Sequence, residues 1–316
     1  MHQYLRSIGF VNRPTRKEMN QILNEGIQSS AVRSYTTNDA EENSLLASFD
    51  VEMGKGFGVC VCGQFDADDR FYPETYFPYL ESDEVSTSEE IDVNQRVDVE
   101  AYSGVCDDLR MGVTLIFRVH NYVEYLKSTR NHDIHDLHPT TSITALSTKG
   151  SILMPLYRTP EDKLSEQKYN RMRLKYMTDA RNGDVEAMEK ATGADMETTM
   201  SVSDKIRHSD VFSLVDTCCM PAGAECEMFT IVGEIRDVDL LENSYTKSQV
   251  YVMKLTCNDM NMAVAISRED LYGEPAIGRR FRGDVWLQGH LYFPNLSDLD
   301  STGKDSGEQR AENGND

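Results

Sequence analysis

Apolar and polar positions recur along this chain with periods that spell out most of its elements. Residues 1–28 read as helical, with Thr15 able to cap a helix in which Met19, Ile22, Leu23 and Ile27 follow at three- and four-residue spacing. The polar residues 29–44 read as a loop. The period then drops to two, with Ala47, Phe49, Val51 and Met53 sharing one face of a strand. Gly54, Gly56 and Gly58 turn the chain, and residues 59–65 return as the second arm of a hairpin. Residues 71–80 are dense in aromatics but carry Pro73 and Pro78, so they are expected to be a coil laying rings over the core, the alternative being a recognition loop for a ring or a partner. Residues 111–119 read as a central strand and 122–127 as a short helix or turn. Residues 142–147 and 151–156 flank Lys149 and Gly150 and predict a second hairpin.

Farther on, Pro160 behind Thr159 and ahead of Glu161 and Asp162 is a helix start. Leu164, Tyr169, Met172, Tyr176 and Met177 carry that helix, and shorter helices are expected at 184–190 and 195–206, giving a helical segment over about 159–208. A strand is expected at 211–217, then a break at 221–224 that marks a domain boundary. Beyond it, Phe229, Ile231 and Ile235 alternate, and Val238 with Leu240 shifts the register by one, the mark of a long strand with a bulge. Two further strands carry Tyr251, Met253, Leu255 and Cys257, then Met262, Val264 and Ile266. Residues 280–288 make a fourth strand and 290–293 a fifth. The fold class is α+β: an N-terminal α+β domain over 1–220, then an OB-like small β-barrel over 224–295. Residues 297–316 form an acidic tail without apolar period, which predicts disorder.

Charge changes what such a surface binds. The 316 residues hold 53 acids against 32 Lys and Arg, a net charge of -21. That repels a phosphate backbone, whose binding depends on counterion release by basic side chains. Within 225–294 eleven acids stand against seven bases, so nucleic acid is an unfavoured partner even for the barrel. Residues 81–100 hold eight acids and one base and read as a solvated loop or edge. No apolar run approaches a membrane span, and residues 1–10 contain no apolar signal core. The seven cysteines sit largely in apolar strands, as small buried side chains rather than a disulfide framework. These features predict a cytoplasmic protein with no membrane association.

Three motifs invite chemistry. The Gly54, Gly56, Gly58 run leads into a strand rather than a helix, so it is a turn and not a phosphate loop. His132, His135 and His138 alternate with acids like metal ligands, but helical spacing spreads them over roughly 600° of turn. No metal and no cofactor is assigned. Trp286, the single tryptophan, shares a strand face with Arg280, Arg282 and Gln288. A ring beside two guanidinium groups is stacking equipment for a ligand or partner, or a face docked against the rest of the chain.

Three stretches carry a resemblance: residues 1–10, opening Met1, His2, Gln3, Tyr4; residues 102–112, with Cys106, Asp107, Asp108, Leu109 and Arg110; and residues 273–281, with Gly273, Glu274 and Pro275. They resemble an uncharacterised family of clostridial gut bacteria known as a domain of unknown function. The likeness covers nearly the whole chain except the acidic tail. It implies a cytoplasmic protein and brings no activity or catalytic residues. The reading that follows is a non-enzymatic binding or regulatory protein with an unknown protein or small-molecule partner, Trp286, Arg280, Arg282 and Gln288 forming the contact face. One alternative is an enzyme on a small polar substrate, built from scattered carboxylates with Tyr102, Cys106, Asp107 or Asp108. A second is weak single-stranded nucleic-acid binding by the barrel.

Overall fold

Helix α1 (Arg16–Ser29) starts where its cap places it. In the computed structural model Thr15 accepts from the Glu18 backbone, and the Glu18 carboxylate accepts from the Thr15 N–H at 2.7 Å, a complete capping box. Residues 2–30, 32–37, 45–96, 101–130, 132–155, 160–188, 190, 216–223 and 225–294 are described. The helix expected at 195–206, most of the strand at 211–217 and the tail from 297 lie outside the described residues.

A 3-10 turn (Gln3–Ile8) precedes α1, so the first 28 residues split into two pieces at Gly9, where φ is 99°. Four strands follow: β1 (Val32–Thr37), β2 (Leu45–Gly54), β3 (Phe57–Phe65) and β4 (Phe71–Leu80), antiparallel in that order. The β2–β3 hairpin is as expected. The aromatic stretch is not a coil: it is β4, an edge strand of this sheet among the described residues. Prolines are admissible there because an outward-facing position owes no ladder hydrogen bond. Its register slips at Glu74, between the pairs Cys62↔Thr75 and Gly63↔Pro73, so Pro73 and Pro78 share one parity.

The larger sheet begins with β5 (Ile91–Gln95), β6 (Tyr102–Cys106) and β7 (Leu115–Val119), then helices α2 (Tyr122–Thr129) and α3 (Ile134–Leu137). Next comes β8 (Thr140–Leu153), one continuous strand where a hairpin was expected. Gly150 does not turn the chain; it pairs with Gly283, and the Phe281 ring lies where its Cβ would be, 2.5 Å away. Thr148 is skipped in the register instead, a bulge rather than a turn. Helix α4 (Pro160–Arg181) starts at the expected proline and leaves Leu164 and Met172 exposed; a further helical turn covers 185–188.

Strands β9 (Cys218–Pro221), β10 (Met228–Glu242), β11 (Gln249–Cys257), β12 (Met260–Ser267), β13 (Leu271–Tyr272) and β14 (Arg280–Tyr292) complete the sheet. The bulge expected in the first of the long strands is there, at Arg236 between the pairs of Ile235 and Asp237. Residues 280–288 and 290–293 are not two strands but the single β14. Gly289 lets it pass without a break, because the Phe117 ring fills its side-chain space.

A five-stranded barrel closes as β10, β11, β12, β8, β14 and back to β10. Its β12–β8 pairing is parallel and the other four are antiparallel. The fifth staff of the barrel is therefore β8, from the first half of the chain. Closure satisfies both edges of every strand in the ring. The apolar core runs without interruption from Met19 and Val51 through Phe77 and Phe117 to Phe281 and Val285. Among the described residues no helix is long and apolar enough to cross a membrane.

Candidate functional site

The residues singled out on β14 are placed by strand alternation, and each meets a different neighbour. Phe281, Val285 and Leu287 point into the barrel and are fully buried. On the other face Trp286 is 4% exposed, stacked on Tyr4 with centroids 5.3 Å apart and 14° between planes, with His2 at 4.6 Å. The N-terminal segment thus covers this ring. Gln288 is buried against the smaller sheet, donating to the Pro78 carbonyl at 2.7 Å and accepting from the Leu80 N–H at 3.2 Å. Arg280 is also buried and donates twice to the Met154 carbonyl. Arg282 is partly exposed beside the exposed Asp284. The four residues therefore do not form one open platform.

The scattered polar groups of 102–108 are likewise engaged. Burial pushes the Cys106 thiol up to about 12, which keeps it protonated and a poor nucleophile at neutral pH. Burial opposes ionisation of Asp108, but hydrogen bonds from Arg110 and Thr87 outweigh it and hold the carboxyl below its usual range. Asp107 accepts from Thr114, and Tyr102 stacks on Tyr122 at 5.2 Å. Three of these groups serve structure rather than converging on one reacting atom.

An open cleft lies elsewhere, between α1 and the edge strand β4. It encloses about 510 Å³ and is lined by Arg16, Asn20, Leu23 and Asn24 from the helix and Pro73, Glu74, Thr75 and Tyr76 from the strand. Arg16, Asn20 and Asn24 follow at four-residue intervals, which sets one polar row along the helix. Glu74 is the bulged residue of β4 and is steadied by Gln64 at 3.0 Å. Burial raises the Tyr76 hydroxyl, and the Arg16 charge opposes that shift, so the cation is felt across the cleft. A cation, a carboxylate, two amides and a phenol ring thus face one space. The sequence hides this site because its walls come from segments separated by three strands.

A second polar constellation lies where the two sheets meet, around His120 at the end of β7. The ring is 3% exposed and stacks on Tyr79 at 4.7 Å. Its Nε2 lies 3.3 Å from Asp50 Oδ1, while Nδ1 is buried without a hydrogen-bond partner. Two sets of three possible metal ligands share this imidazole: Asp50, Cys60 and His120, and Glu81, His120 and His290, the ligating atoms of each set lying within 4.8 Å of one another. Among the described residues His132, His135 and His138 join no such set. His135 instead meets Glu90 at 2.5 Å and Asp92 at 3.6 Å.

A family model described as "Domain of unknown function, E. rectale Gene description (DUF3881)" matches residues 5–289. The chain belongs to this family. The match takes in α1, β4, His120 and nearly all of the barrel, so the cleft falls within the family domain, as do Asp50, Cys60, Glu81 and His120 of the second constellation, with His290 one residue beyond its end. No curated protein and no solved structure matches the chain. Membership of this domain-of-unknown-function family thus fixes kinship and leaves activity to be argued from the site.

Proposed function

We propose that the protein is a cytoplasmic, non-enzymatic binding protein that takes a small polar ligand of mixed charge in the cleft between α1 and β4. The observation that carries this reading is the cleft itself: about 510 Å³, inside the roughly 300–1,000 Å³ typical of small-molecule sites. Arg16 suits a carboxylate and Glu74 suits an amine, while Asn20, Asn24 and Thr75 offer donors and acceptors between them. Leu23, Pro73 and Tyr76 supply the apolar wall. A zwitterion such as an amino acid or a dipeptide has this distribution of charge. Addition of an extended peptide to the β4 edge is less well supported, because Pro73 and Pro78 remove N–H groups from one parity of that strand.

The barrel is read here as an OB-like scaffold. The long, bulged β10 borders both β11 and β14, and β8 takes the closing place beside β12. Division into an α+β unit and a barrel unit follows from that reading, with β8 assigned to the barrel. Its role is to hold the small sheet through Gln288, and the segment that follows β4 through the ion pair of Arg236 with Glu84.

Thermal-shift and calorimetric titration with free amino acids and dipeptides tests the ligand class. A binding probe raises Tm by mass action, and Arg16→Ala or Glu74→Gln removes the rise. Failure of every probe to move Tm, or a rise unaltered in both variants, refutes the cleft reading.

A further inference from the structure

We propose that Glu81, His120 and His290 form a binding site for a divalent transition-metal ion of the zinc class. The three residues come from distant parts of the chain and are brought together by the seam between the sheets. Gln288 and Tyr292 of β14 hold the backbone of residues 78–82 through Pro78, Leu80 and Ser82, and this sets Glu81 opposite His290. His120 enters from β7, with its N–H bonded to the Gly289 carbonyl at 2.8 Å. The backbone around all three side chains is thereby fixed by hydrogen bonds that do not involve them.

The state of the His120 ring favours ligation. A histidine that binds a metal commonly donates its other ring nitrogen to a carboxylate, which fixes tautomer and orientation. Asp50 stands 3.3 Å from Nε2 in that role. A proton on Nε2 leaves the lone pair on Nδ1, and Nδ1 is the buried nitrogen with no partner. Two imidazoles and one carboxylate are the ligand types that zinc-class ions take in open sites, leaving further positions for water. Glu81 is exposed and His290 half-exposed, so an ion has a way in.

The competing set, Asp50 with Cys60 and His120, fits less well. Cys60 is fully buried, and burial pushes its thiol well above the ordinary value, with Cys62 at 3.7 Å adding to the effect. A metal there must first displace that proton. It would also take Asp50 away from orienting the imidazole.

The test uses the full-length chain, stripped with a chelator, then titrated with zinc and separately with cobalt(II). We expect one ion per chain and a cobalt visible spectrum without a sulfur-to-cobalt charge-transfer band. Glu81→Gln and His290→Gln each weaken zinc binding by roughly ten-fold or more, and Asp50→Asn, acting through the imidazole, by roughly 10- to 100-fold. Cys60→Ser leaves affinity unchanged. His120→Gln risks the fold, whereas Glu81 and His290 lie at the surface and keep the test decisive. Absence of binding, a thiolate band lost in Cys60→Ser, or unchanged affinity in both Glu81→Gln and His290→Gln overturns the assignment; the last outcome moves the ion elsewhere, such as to His132, His135 and His138. The result is independent of the α1–β4 cleft, which Arg16→Ala probes separately.

Discussion

His2 shows how a single side chain can make this fold sensitive to pH. Burial first, then the nearby Arg118 charge, lowers its pKa from 6.5 to about 4. Between those values the unfolded chain binds a proton that the folded one refuses. Stability is therefore full above pH 6.5 and falls as pH drops towards 4, by up to about 1.4 kcal/mol per pH unit, with nothing further lost below. Urea denaturation across this window should show the slope, and His2→Gln should flatten it. Because the His2 ring lies 4.6 Å from Trp286, its protonation should also change the emission of that one indole over the same range. Gln288 carries a different burden at the same scale. Leucine in its place leaves the Leu80 N–H and the Pro78 carbonyl buried and unmatched, a loss of about 1–3 kcal/mol measurable by chemical denaturation.

At the scale of elements, the decisive contacts are between aromatic rings and glycines on neighbouring strands. Phe117 on β7 lies over Gly104 of β6 and Gly289 of β14, each of whose missing Cβ atoms would fall within 2.4 Å of the ring. Alanine at Gly289 has to displace that ring or bend β14, and should cost about 1–3 kcal/mol in a denaturation midpoint. Contacts of this kind also explain what could be read from the sequence. Helix α1 was legible because Thr15, Met19, Ile22 and Leu23 are all local signals, and β10 to β12 because the alternation of each, and the bulge of β10, lie within a single strand. Strand β8 was not, since Gly150 looks like a turn until Phe281 is seen to need the space. The prolines hid β4 because edge position is a tertiary fact. For the candidate sites the limit is the same: alternation put Trp286 and Gln288 on one face, but what covers them comes from His2, Tyr4 and β4. Nothing in the spacing of Glu81, His120 and His290 announces that they meet.

For the whole molecule the barrel is the test of how the two halves of the chain depend on each other. Strand β8 pairs with β14 along thirteen register positions, from Thr140↔Tyr292 to Leu153↔Arg280, and runs parallel to β12 on its other side. Without β8, residues 224–295 keep β10 to β12 and β14 but lose closure. Two strands are then left with open edges, and Phe281 and Val285 lose the strand that seals them. Such a fragment should be poorly dispersed in NMR and prone to association. Joining residues 138–155 to it through a flexible linker, long enough to set β8 between β12 and β14, should restore dispersion and a cooperative thermal transition. Recovery of the fold by the shorter fragment alone would show that β8 only covers a barrel already complete. Recovery only on adding β8 would show that the barrel is assembled from both halves, so that docking of the small sheet and closure of the ring are one event.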